Sequence, residues 1–170
     1  MECDYVRVIG IDPGIETTGI AILDIKKNNF IPILCDCIIT SRHLPLHKRL
    51  EQIYTSINFY IKKYNPNCLA VEDIFFNVNN KTALLIGAAR GVVMLAGTIS
   101  NLEIYQYTPL EVKQSIVGYG RATKKQIKYM LKMILGVKDD FFPSADDAWD
   151  AMGIAICHAS YKKFENKIKK

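Results

Sequence analysis

The chain has 170 residues, nearly half of them hydrophobic and 23% charged. That is one domain's worth of chain with a core to bury, and it excludes disordered and fibrous classes. The net charge of +5 is concentrated. Lys113, Arg121, Lys124, Lys125, Lys128 and Lys132 crowd one stretch, and Lys162, Lys163, Lys167, Lys169 and Lys170 close the chain. The first group reads as a polyanion-binding surface or a solvated helix face, the second as a solvated tail. Cys3, Cys35, Cys37, Cys68 and Cys157 show neither disulfide-frame nor zinc spacing and read as reduced, mostly buried thiols of a cytoplasmic protein. Met1 to Asp4 does not resemble the start of a signal peptide.

In chain order, Val6 to Ile11 is a short apolar run stopped by the turn sequence Asp12-Pro13-Gly14. Thr18 to Leu23 and Phe30 to Thr40 follow as strands, and the three predict an antiparallel meander. Cys35 and Cys37 alternate onto one face of the third. The period then changes: Leu46, Leu50, Ile53, Ile57, Ile61 and Tyr64 recur every three or four residues, so a helix is expected up to Pro66. Cys68 to Val71 has no alternation, which predicts a strand buried on both faces and ending at Glu72.

Ala83 to Ile99 is apolar enough to raise a membrane question. Arg90 in its middle, and the small residues Gly87, Ala88, Ala89 and Gly91, favour a buried helix over a span of about 20 apolar residues. A fifth strand is expected at Glu103 to Tyr107. Thr108-Pro109-Leu110-Glu111 opens a helix with a capping box and a first-turn proline. Thr123 and Gln126 form a second box for a helix to Leu135, and Ser144 is the expected cap of a last helix to about Lys162. Tyr119, between Gly118 and Gly120, reads as a loop anchor. His43, His47 and His158 lack metal-ligand spacing. The order predicts an α/β domain over 1–170 with a mixed sheet flanked by helices.

Strand ends are where ligands gather in such sheets, and Asp12 and Glu72 stand at two of them. Each acid has a bland reading: turn chemistry for Asp12, a solvated strand end for Glu72, and helix-dipole complementarity for Asp147 and Asp150. The conjunction is more telling. Asp147 and Asp150 share one helix face, about 5–6 Å apart at Cβ, and Gly153, Ile154 and Cys157 continue that stripe towards the core. Four anions brought together repel, by roughly 4 kcal/mol for a pair about 4 Å apart at an effective dielectric of 20. A divalent cation removes that penalty, and an all-oxygen set suits Mg²⁺ or Mn²⁺. Two ions would form the clamp used for in-line phosphodiester displacement.

Ile9-Gly10-Ile11-Asp12-Pro13-Gly14 with Thr18-Gly19 resembles the opening of the RuvC family of Holliday junction resolvases. Val71-Glu72-Asp73-Ile74-Phe75 is similar to its second motif, and Gly87-Ala88-Ala89-Arg90-Gly91 to its central helix. Val112-Lys113-Gln114 through Gly118-Tyr119-Gly120 to Lys124 resembles its basic segment, and Asp147-Ala148-Trp149-Asp150-Ala151 its final acidic helix. The resemblance implies a ribonuclease-H-like five-stranded fold, a homodimer, Mg²⁺ (with Mn²⁺ substituting and two ions per site), and paired nicking of four-way DNA junctions in recombination and repair. It also implies a branch-migration motor as partner. On residues, it implies metal-binding catalytic acids at Asp12, Glu72, Asp147 and Asp150, a junction-probing aromatic at Phe75, and DNA-contacting lysines at Lys113 and Lys124. The extra acids Asp73 and Asp146 compete for the ligand assignment, and strand alternation favours Glu72 over Asp73.

Three rivals share parts of the pattern. Ile11-Asp12-Pro13-Gly14 also resembles the first phosphate loop of actin-like ATPases, which need a second lobe. Another ribonuclease-H-like nuclease, acting on RNA or other branched DNA, would use the same acids. A non-catalytic junction-binding protein is disfavoured, because four acids repel DNA without a metal.

Overall fold

β-Branched and apolar residues dominate the first forty positions, and they form three strands in succession: β1 (Val6–Asp12), β2 (Thr17–Lys26) and β3 (Asn29–Ile39). In this computed structural model, which describes residues 5–27, 29–73 and 80–168, β1 pairs antiparallel with β2 and β2 with β3. The helix α1 (Leu46–Tyr64) follows, ending at Asn65 in the left-handed region. Then come β4 (Cys68–Glu72), α2 (Asn80–Ile99), β5 (Glu103–Tyr107), α3 (Pro109–Val117), α4 (Lys124–Leu135) and α5 (Asp146–Ile168). β4 pairs parallel with both β1 and β5, giving a five-stranded mixed sheet of order β3-β2-β1-β4-β5. The expected meander, the helix after it and the α/β architecture are all present.

The sheet divides two cores by residue parity. Ile9, Ile11, Leu69 and Val71 point to one face, where they meet Ile53, Ile57 and Ile61 of α1 and Ala89, Val93 and Ala96 of α2. Val8, Cys68 and Ala70 point to the other, against α5 with α3 and α4 outside it. A period of two along adjacent parallel strands makes this inevitable once the register is set. Two glycines bring α5 close. A Cβ on Gly10 would collide with Ala151 and Ala155, and one on Gly19 with the backbone of Asp147.

Both capping boxes form: Thr108 with Glu111 at α3, and Thr123 with Gln126 at α4. Several expectations are corrected. α2 is not a buried helix: Ala89, Val93 and Ala96 pack inward, while Leu84, Leu95 and Ile99 are more than half exposed. Its small residues let one face sit on the sheet, and its apolar residues continue around the other. α2 is also the one described helix long and apolar enough to cross a membrane, but Arg90 at its centre is paired within the fold. α5 begins at Asp146, so Ser144 lies outside its first turn, and the helix continues past Lys162 to Ile168. A 3-10 turn at Asp139–Phe141 was not anticipated. Tyr119 is exposed, and Leu110 packs against Gly120 in its place. Among the described cysteines, Cys68 and Cys157 are buried, Cys35 and Cys37 half-buried, and none of the four is in a disulfide.

Candidate active site

The parity that sorts the core also sorts the acids. Asp12 continues the Val8, Gly10 series and Glu72 the Cys68, Ala70 series, so both belong to the α5 face of the sheet. Their strands are parallel neighbours, with Ile11 beside Val71, and such strands lie about 4.8 Å apart. Both acids therefore emerge side by side at strand C-termini. Asp147 and Asp150 stand in the first turns of α5, on the segment that Gly19 allows to approach.

The turn after Asp12 is fixed from several sides. Thr18 Oγ1 donates to the Gly14 carbonyl at 2.6 Å, and Thr40 Oγ1 donates to that of Ile15 at 2.5 Å. Arg49 donates to the same Ile15 carbonyl at 3.0 Å.

Electrostatics report the convergence. Burial, then the charges of Glu72, Asp150 and Asp147, hold the Asp12 carboxyl well above the usual carboxylate range. Burial and then Asp150 push Glu72 up to about 7, against the opposing pull of Lys113 and Lys124. Asp150 is raised as well, by burial first, although Lys124 counters it. A group of carboxylates in which burial and mutual repulsion both favour protonation is short of positive charge. Lys124 is the nearest source, its Nζ 3.6 Å from Asp150 Oδ2.

These residues fit a hard divalent cation. The donors are oxygens, and the excess negative charge is the kind such an ion neutralises. As they stand, no three acid, histidine or cysteine side chains among the described residues are drawn together closely enough to share one ion. The four carboxylates are nevertheless coupled through space.

The competing acids are directed elsewhere. Asp73 has the opposite parity to Glu72 and meets Arg90 of α2 at 2.9 Å. Asp146 is held by Lys128 at 2.6 Å and Lys124 at 3.2 Å. Lys113 is half-buried on α3 and acts electrostatically on Glu72. Phe75 lies outside the described residues.

Sequence reasoning missed the part played by Arg90. Its Nε donates to the Glu72 carbonyl at 3.1 Å, and its terminal nitrogen binds Asp73 and Gln106. It therefore ties the end of β4, and with it Glu72, to α2 and β5. The signal was there: a guanidinium in the middle of an apolar helix needs partners of its own.

The fold agrees with that of known proteins. Residues 8–158 match the family described as crossover junction endodeoxyribonuclease RuvC. The protein of that name from Desulforamulus reducens is 44% identical over 163 residues, covering 95% of this chain and 99% of its own length. The solved structure of Thermus thermophilus RuvC superposes with a TM-score of 0.86 at 30% identity, covering 94% of this chain and 97% of that one. The structure of T. thermophilus RuvC in complex with Holliday junction substrate gives 0.88 at 31% identity, covering 94% and 96%. The chain belongs to the RuvC family of crossover junction endodeoxyribonucleases, metal-dependent nucleases with a ribonuclease-H-like fold.

Proposed function

We propose that this chain resolves four-way DNA junctions in recombination and repair by paired nicks, with Asp12, Glu72, Asp147 and Asp150 as its metal ligands. The observation that carries this reading is the shared parity of Asp12 and Glu72 on the face covered by α5, which brings Asp147 and Asp150 with it. Mg²⁺, with Mn²⁺ as substitute and two ions per site, would supply Lewis-acid charge and a nucleophilic water. Asp12 and Glu72 hold fixed positions because they end adjacent paired strands. Asp147 and Asp150 would complete the cradle from the helix, which Gly19 and Gly10 allow to lie close against the strands. Lys124 sets its ammonium beside Asp150 and would neutralise the phosphate being cut. Lys113 does the same from the side of Glu72. Phe75 would open base pairs at the junction centre.

Two nicks require two sites, and a two-fold homodimer supplies them. The outward face of α2 is suited to it: Leu84, Leu95 and Ile99 are exposed, and nothing stands within 4 Å of the Cβ direction of Gly91. A branch-migration motor and a cytoplasmic location complete the reading. The test is cleavage of a synthetic mobile junction in Mg²⁺ and in EDTA, mapping products on all four strands, beside an RNA–DNA hybrid. Symmetric metal-dependent nicks in strands of like polarity are expected. Preferential cutting of the hybrid, or junction binding without cutting, would refute the proposal.

A further inference from the structure

α4 carries Lys124, Lys128 and Lys132 at four-residue intervals, with Lys125 and Tyr129 on the neighbouring stripe. These side chains form one wall of a groove of about 560 Å³, and the start of α5 with the segment before it forms the other. The groove has a rigid floor. The rings of Phe142 and Trp149 stack with centroids 3.7 Å apart and planes within 10°, and the indole N–H donates to the Pro143 carbonyl at 3.1 Å. Lys128 sits over this floor, its Nζ 5.0 Å from the Trp149 ring centroid.

Asp146 is the one acid among the described lining residues, which include four lysines. Its two oxygens are divided between two of them, Oδ1 to Lys128 at 2.6 Å and Oδ2 to Lys124 at 3.2 Å. A single anion bridging two ammonium groups is the arrangement a phosphodiester would make with the same pair. Asp146 is 48% exposed, so the pairs are solvated and each is weak. Exchange for an external anion is therefore cheap. From Lys124 to Lys132 the helix rises about 12 Å, some three to four base-pair steps along one DNA strand. Lys124 is common to the groove and the acids, so the groove leads directly away from the site.

We infer that this groove is a track for the sugar-phosphate backbone of the DNA arm flanking the cut, with Asp146 holding the place of a phosphate until DNA displaces it. The inference rests on the nuclease reading above and adds Lys125, Lys128 and Lys132 to the substrate surface. Asp146 makes the surface selective, because only a phosphate that reaches both Lys124 and Lys128 replaces both contacts at once.

Binding of a plain duplex and of a long-armed junction, in EDTA over a range of KCl, tests it. The double variant Lys125→Gln/Lys132→Gln should lower the log–log salt slope by about two on both substrates. Lys125→Arg/Lys132→Arg should restore the slope, which separates lost charge from a damaged helix. Asp146→Asn should tighten duplex binding by about threefold to tenfold at low salt, as two lysines are released to DNA. An unchanged slope in the glutamine variant at an unchanged melting temperature would overturn the track. Unchanged or weaker duplex binding by Asp146→Asn would overturn the displacement. Nicking by the wild-type chain is scored separately in Mg²⁺. Its failure would remove the resolvase reading, while the duplex slopes would still decide the groove.

Discussion

The two ends of β1 place charged groups in opposite circumstances. At its start, Arg7 Nε meets Asp24 Oδ1 at 2.6 Å and its terminal nitrogen meets Oδ2 at 2.8 Å, a two-pronged pair across the β1–β2 ladder. The same guanidinium donates to the Tyr64 carbonyl at 2.8 Å. The hydrogen bond to Asp24 outweighs burial and raises the Arg7 pKa, so both charges are held. Seven residues span the strand, and at its other end burial, then the charges of Glu72, Asp150 and Asp147, raise the Asp12 pKa and so disfavour its charged form. One end is satisfied by folding. The other is left short of positive charge, which a divalent cation would supply.

The sharpest way to separate the two ends is to neutralise Asp12. Asp12→Asn should reduce junction cleavage by at least about three orders of magnitude while the melting temperature in EDTA stays level or rises. Single-turnover cleavage beside thermal unfolding checks both halves, and a normal rate would misassign the site. Arg7→Ala should do the reverse. Asp24, 8% exposed, loses its partner, and unfolding in denaturant should show a loss of about 3 kcal/mol with cleavage per folded molecule retained.

A smaller effect follows from Glu72. Its pKa in the folded chain is about 7, above its ordinary value, so the folded state binds the proton more tightly than the unfolded state. That stabilisation is complete below the unfolded value and is lost as pH rises through about 7. In EDTA the unfolding free energy should fall over that window by up to about 3 kcal/mol. Glu72→Gln should flatten the profile, and Mg²⁺ should restore stability most at high pH. A profile in EDTA that rises across this window would contradict the assignment.

The smallest expected change concerns the cap of α4. Thr123 Oγ1 accepts from the Gln126 backbone N–H at 3.3 Å, and Thr123→Ala should cost about 1 kcal/mol in thermal unfolding. Because that cap begins the helix carrying Lys124, a modest weakening of junction binding should accompany it.

The sequence by itself determined the elements whose causes are local. The strand alternation of β1, the helical period of α1, and the Thr108 and Thr123 capping boxes are interactions between residues a few positions apart, and all are present. It also named Asp12, Glu72, Asp147 and Asp150, and gave the parity argument that separates Glu72 from Asp73. Tertiary structure decided what depends on partners distant in the chain. It directed Asp73 to Arg90 and Asp146 to Lys124 and Lys128. It also left one face of α2 exposed, where composition had favoured a buried helix over a membrane span. A hydrophobic run records that a helix is apolar, not how much of its surface this chain can cover. The approach of α5 to β1 and β2 likewise appears in sequence only as two glycines, whose purpose is visible once Asp147 and Ala151 lie against them. Local periodicity is set by the 2.0 and 3.6 residue repeats of the backbone. Which acids come together and which meet a lysine or an arginine is set by contacts between segments that no repeat encodes.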